Sequence, residues 1–192
     1  MAKGKIVAIV SIVVAIIVFL LIFGAWYIGT RNRLVTLDEG IDGAWAEIDN
    51  QLKRRSDLIP NLVATVKGYA TQEREVFTQI AEARAKLAGA RTVGEAAAGY
   101  NELQTALGRL LVIVERYPEL KSNENFIRLQ DELAGTENRI AVARKRYNDS
   151  VREFNTKIRR FPASIVANRL GFTKREYFEI EEQAREVPRV EF

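Results

Sequence analysis

The sequence predicts an all-α protein: an N-terminal transmembrane helix followed by an antiparallel up-and-down four-helix bundle. Three observations carry this. Residues 6–30, "IVAIVSIVVAIIVFLLIFGAWYIGT", contain no charge. Beyond Arg31 the apolar residues recur at steps of three and four, with no strand-like alternation. The segments so defined are separated by short connections, which favour antiparallel neighbours in one chain over an intermolecular coiled coil.

The first element is the apolar run. Spanning a bilayer takes about 20 apolar residues. Lys3 and Lys5 flank one end, Arg31 and Arg33 the other, and Trp26 and Tyr27 sit near the second boundary, where amphipathic rings favour the interface. A cleaved signal peptide has a shorter core, about 7–15 residues, and a small-x-small cleavage site. "FGAWYIG" is a poor one, so a retained anchor is expected. The basic flanks nearly balance, leaving the side of the soluble part undetermined. Residues 1–5 form a short flank, 6–30 the anchor, 31–160 the bundle, and 161–192 a short helix with a C-terminal tail.

Within the bundle, Leu34, Leu37, Ile41, Trp45, Ile48 and Leu52 mark the first stripe. Ile59, Leu62, Val66, Tyr69, Val76, Ile80, Ala83 and Leu87 mark the second. Tyr100 to Tyr117 and Phe126 to Ile158 hold the third and fourth. In "KRRSDLIP", Lys53, Arg54 and Arg55 suit a helix C-terminus, whose carbonyls carry partial negative charge. Ser56 or Asp57 offers an N-cap, and Pro60 fits a first turn. This predicts a reversal there, with helices over about 31–55, 58–89, 93–117 and 122–160. The alternative is three long helices, the first kinked near Pro60, because the seven-residue step from Leu52 to Ile59 keeps the stripe in phase. Arg55 lies about 37 Å beyond the membrane boundary in an upright bundle. That is far outside the ~8 Å screening length, so this basic cluster does not touch the bilayer. "TVGE" at 92–95 reads as a capping box, and Pro118 followed by Ser122 or Asn123 marks the next stop and start.

The composition excludes much chemistry. With no Cys and no His, there is no disulfide, no thiolate nucleophile, no Cys or His metal site and no His general base. Lys3 and Lys5 are two of the 29 basic residues, so 27 basic residues face 25 acidic ones from Arg31 onward. Nucleic-acid binding needs a dense basic face, and this near balance argues against it. No phosphate loop or nucleophile elbow is present. Glu73, Glu75, Glu132 and Glu137 are read as exposed helix-face acids. No catalytic, cofactor-binding or metal-binding residue is assigned, and no enzymatic activity is expected.

Two sets of candidate residues remain. Asn138, Arg144, Tyr147, Asn148 and Asn155 form a polar seam on the last long helix, with Tyr147 in the core and its hydroxyl at an edge. Asn148 and Asn155 are seven apart and suit hydrogen bonds across the bundle that fix register, with a binding pocket as the functional alternative. "KIRRFPASIVANRLGF" at 157–172 mixes Lys157, Arg159, Arg160 and Arg169 with Phe161 and Phe172. It reads as a cap over the open end of the bundle or as an interfacial amphipathic segment. Pro162 can start a short helix there and Gly171 can end it. The tail from Tyr177 on is charged and carries no clear stripe.

These blocks resemble the LemA family. The resemblance rests on the anchor, "AWAEIDNQLKRRSDLIPNLVATVKGYA", "RYPELKSNENFIRLQDELAGTENRIAVARKRYNDSVREFNTKI" and the "FPASIVANRLGF…YFE" tail. It covers nearly the whole chain. It implies a bacterial single-pass membrane protein with an antiparallel helical bundle, and it supplies no reaction or catalytic residue. The functional expectation is a membrane-anchored scaffold or adaptor at the bacterial cell membrane that recruits a protein partner, with self-association open. The alternative is a membrane-remodelling or lipid-surface-binding protein acting through 157–172.

Overall fold

A computed structural model describes residues 2–70 and 72–180, residues 2–8 as backbone alone. The expectations for the last twelve residues of the tail, and for the side chains of Lys3 and Lys5, lie outside the described residues. The chain forms α1 (Ala2–Lys67), α2 (Arg74–Gly89), α3 (Val93–Val114), α4 (Pro118–Lys121), α5 (Glu124–Arg159) and α6 (Ala163–Leu170). No strand occurs among the described residues. The chain divides into two compact units. The first holds Met1–Asp42 and Ser150–Arg175, the second Gly43–Asp149 and Glu176–Phe192.

In the first unit, the apolar run is the start of α1. Its residues from Ile9 to Phe23 are exposed around the whole helix. Neighbours begin to cover α1 only at Gly24, and Leu34 and Ile41 are fully buried. Val151, Phe154 and Ile158 of α5 and Ala163, Val166 and Ala167 of α6 complete this core. Phe172 meets Phe154 edge to face, with ring centroids 5.7 Å apart. Gly171 ends α6 with φ of 74°, a left-handed conformation that glycine adopts without a Cβ penalty.

In the second unit, the expected reversal at Ser56–Pro60 does not occur. α1 passes through Pro60, and the chain turns at Gly68–Glu73 instead. Phase explains this. Leu52, Ile59 and Val66 are seven residues apart, as are Ile48 and its neighbours on the same stripe, and all are buried. An interior proline costs about 3 kcal/mol. Burial of Ile59, Leu62 and Val66 contributes roughly 1.5–3 kcal/mol each, so the continuous helix wins. Pro60 points to solvent, and the Ser56 hydroxyl accepts from Arg84 Nε at 3.0 Å rather than capping a helix.

The up-and-down order survives with its first turn moved. Ser56 meets Arg84, and Lys67 lies over the Phe77 ring at 5.2 Å, so α2 runs back along α1. Lys86 with Glu102, Gln79 with Arg109 at 2.8 Å and Glu73 with Arg116 at 2.7 Å place α3 antiparallel to α2. The two backbones come very close at one point: a Cβ on Gly99 would lie 2.9 Å from Leu87 Cα and N. The capping box forms as read. The Glu95 amide donates to Thr92 Oγ1 at 3.1 Å, and Glu95 Oε2 accepts from the Arg91 amide at 2.7 Å. Asn123 starts α5, its Oδ1 accepting from the Phe126 amide at 3.1 Å. α3 ends at Val114, three residues before the expected stop, because Pro118 begins the separate short helix α4.

Candidate functional site

A buried polar cluster lies inside the second unit, and Arg55 is its centre. The sequence groups Arg55 with Lys53 and Arg54 at a helix C-terminus; it is instead mid-helix and only 5% exposed. Its position on the helix dictates this. It follows Ile48 by seven residues and precedes Leu62 by seven, so it takes a slot on the buried stripe. Its Nη1 donates to the Leu133 carbonyl at 3.0 Å and pairs with Glu137 Oε2 at 2.9 Å. Its Nη2 donates to Gln104 Oε1. Gln104 Nε2 in turn donates to Glu137 at 2.7 Å, and the Tyr100 hydroxyl donates to the same carboxylate oxygen. The Arg55 guanidinium also stands 5.9 Å from the Tyr100 ring centre.

Glu137 therefore corrects the reading of four exposed acids. It is half-buried and accepts from three groups on two other helices. Burial raises the Tyr100 pKa strongly. The hydrogen bond to Glu137 and that group's negative charge add to the rise, while Arg55 and Arg144 oppose it. The phenol is held neutral and serves as a donor. This arrangement offsets a buried charge through an ion pair and several hydrogen bonds, with Arg55 Nε left unpartnered. Chemically it is a fixed link between α1, α3 and α5.

The polar seam residues separate. Asn138 is exposed and stands apart from the cluster; Arg144 is half-buried near Tyr100. Tyr147 and Asn148 hold the chain's own irregular C-terminal segment. The Tyr147 hydroxyl donates to the Glu176 carbonyl at 2.8 Å. Asn148 grips Phe178 twice: its Nδ2 donates to the carbonyl at 3.1 Å, and its Oδ1 accepts from the amide at 2.9 Å. Phe178 is fully buried, with Trp45 and Tyr100 near its ring. In the first unit, Asn155, 1% exposed, makes the same pair of bonds to the Arg175 backbone, both at 2.9 Å. Arg175 also pairs with Asp38 at 2.8 Å and Asp42 at 3.3 Å. The hydrogen bonds of Asn148 and Asn155 run to the main chain of the C-terminal segment rather than across the bundle from helix to helix. The i, i+7 asparagines were visible in the sequence; their backbone partner was not.

The 157–172 candidates all lie in the first unit. Lys157, Arg159, Arg160 and Arg169 are exposed, Phe161 is 82% exposed, and Phe172 is half-buried against Phe154. One side of α6 is buried while Ile165 and Leu170 on the other are exposed. One side of the segment thus packs within the first unit, and the other is an exposed surface that is apolar and basic.

Among the described residues, no group of three or more acidic side chains is placed to hold a metal. One helix among the described residues, the first, is long and apolar enough to cross a membrane. The chain is 28% identical to Magnetosome protein MamQ of Magnetospirillum gryphiswaldense, over 82% of this chain and 67% of that one. It is 26% identical to Magnetosome protein MamQ 2 of Paramagnetospirillum magneticum, with the same coverage. It is 27% identical to Protein LemA of Metamycoplasma hominis, over 92% of this chain and 80% of that one. The model of the LemA family matches residues 44–192, which takes in the buried cluster and the segment held by Asn148 and Asn155, and the chain belongs to the LemA family.

Proposed function

We propose that this protein is a non-catalytic scaffold, anchored in a bacterial cell membrane by one pass of α1, that recruits a protein partner. The observation that carries the reading is the change along α1 within the first unit. From Ile9 to Phe23 every large apolar side chain is exposed, and from Leu34 onward the helix packs. An uncovered apolar surface on all sides of a helix of this length suits lipid, where backbone groups are satisfied within the helix. The absence of a break before Asp42 gives the packed part a stiff attachment.

The interior supports a scaffold rather than an enzyme. Its buried charge and its neutral phenol are both engaged with Glu137. The relatives named as magnetosome proteins support the same reading, as components of a bacterial structure named for what they belong to rather than for a reaction. Crosslinking in native membranes followed by affinity capture of the full chain is expected to recover a stoichiometric protein partner. Recovery of the chain alone under several crosslinking chemistries rejects partner recruitment.

A further inference from the structure

The first unit carries an exposed surface that is at once apolar and basic. From Lys157 to Phe172 there are four basic residues and no acidic one. Phe161 and Ile165 are 82% and 58% exposed, and Leu170 is exposed beside them. Ile165 and Arg169 are four apart in α6 and share one side of that helix, away from the buried Ala163, Val166 and Ala167, and Phe161 lies exposed just before it.

Its height relative to the apolar run follows from one ion pair. Arg33 Nη2 lies 2.7 Å from Glu153 Oε1. Cover of α1 begins nine residues before Arg33, at Gly24. α5 has six residues left after Glu153, about 9 Å of helix, which brings its end and Phe161 level with Trp26 and Tyr27. Those two rings stand at the boundary of the apolar run, and Arg31 beside them is exposed. The basic and apolar surface therefore sits where a bilayer spanned by α1 would present its headgroups.

We propose that residues 157–170 form a second membrane contact, docking on the anionic surface of the bilayer that α1 spans. Phe161 and Ile165 enter the boundary between headgroups and acyl chains, and Lys157, Arg159, Arg160 and Arg169 face the lipid phosphates. The occupant is fixed by tethering: α1 holds this surface against its own membrane before any other partner arrives. The inference rests on the anchoring of α1 and is independent of partner recruitment.

The chain has no cysteine, so single nitroxide labels are unambiguous. Labels at Ile165→Cys, Val14→Cys and Val112→Cys are placed in the full chain, in vesicles of phosphatidylcholine with or without phosphatidylglycerol. Collisions with oxygen report the acyl region, and collisions with a water-soluble nickel chelate report solvent. The Val14 label is expected to be protected from nickel in both vesicles, which reads the anchor by itself, and the Val112 label to be open to it. The Ile165 label is expected to gain several-fold protection when anionic lipid is present. High salt, or the combined variant Lys157→Gln, Arg159→Gln, Arg160→Gln, should remove that gain while circular dichroism stays unchanged. An inserted Val14 label with an Ile165 label as open to nickel as Val112 overturns the docking and leaves the anchor standing. Nickel access at Val14 overturns both. Dipolar broadening at Ile165 that disappears on dilution with unlabelled chain shows a second copy on this surface and also overturns the lipid assignment.

Discussion

α1 behaves as two different helices. Between Ile9 and Phe23 it is apolar on every side, and all of those side chains are exposed. Between Ile41 and Val66 it is apolar along one stripe, and that stripe is buried. Hydrophobicity is high in the first stretch but has no direction; the second has direction and less hydrophobicity. A stretch without direction suits a surrounding that is the same on all sides, as lipid is. A stripe demands neighbours on one side only, and α2, α3 and α5 provide them. The difference teaches that the pattern of apolar residues, more than their number, states what will cover a helix.

The comparison can be broken at its strongest points. In the first stretch, Val14→Arg places a charge on a helix that lacks any polar partner there, at a cost of about 2.5–3.5 kcal/mol on insertion scales. Membrane fractionation should show a large loss of the protein from the membrane, with the helical signal retained. A variant that stays fully in the membrane fraction contradicts the lipid reading of that stretch.

In the second stretch, Glu137→Leu leaves Arg55 buried without its counter-charge. The expected destabilisation is about 3 kcal/mol, at the low end for a buried pair because Glu137 is partly exposed to solvent. Arg55→Met with Glu137→Leu should cost much less than the single change, since both charges leave together. Thermal denaturation of the four members of this cycle measures the coupling. Additive effects would mean that the pair contributes nothing beyond its separate parts.

Pro60 tests the continuity of the stripe. An exposed proline inside a helix lacks one backbone hydrogen bond, so Pro60→Ala is expected to raise stability by about 1–3 kcal/mol. A proline in a first turn would give a change near zero. The unfolding midpoint in urea decides between them.

The smallest effect concerns Tyr100. Its folded pKa is raised above the unfolded value of 10.0, so the folded state favours the protonated phenol. The stabilisation is therefore complete below the unfolded pKa and is lost as pH rises above it. Ultraviolet titration should show a late component from Tyr100, which ionises only as the bundle unfolds. Tyr100→Phe should abolish the late component.

Much of this was legible from spacing. The apolar run, the first, third and fourth stripes, the Thr92–Glu95 capping box and the short helix ending at Gly171 all announce themselves within a few residues. The second stripe, read on one helix from Ile59 to Leu87, is instead divided between α1 and α2, with Tyr69 exposed and Phe77 buried in place of Val76. Lys53, Arg54 and Arg55 mislead because adjacency in sequence suggests one role for three cations. Helical geometry separates neighbours by 100°, so Lys53 and Arg54 face water while Arg55 faces inward. Its seven-residue relation to Ile48 and Leu62 was the available signal. Pro60 misleads for a related reason: its local preference is real, but three buried side chains in phase outweigh it. The hold on the C-terminal segment was not legible. Asn148 and Asn155 reach backbone atoms 20 to 30 residues away, and backbone partners leave no mark in side-chain pattern.

That hold has a consequence for which changes the segment can absorb. A carboxamide that donates to a carbonyl and accepts from the amide of the same residue reads only the peptide group, which is common to nineteen of the twenty amino acids. At 175 and 178 the clamp is blind to the side chain it displays, so new side chains can be tried there without losing the grip, each succeeding or failing on its own contacts. Proline is the exception, since it brings no amide hydrogen. The asparagines thus separate the task of holding the segment from the task of choosing its residues.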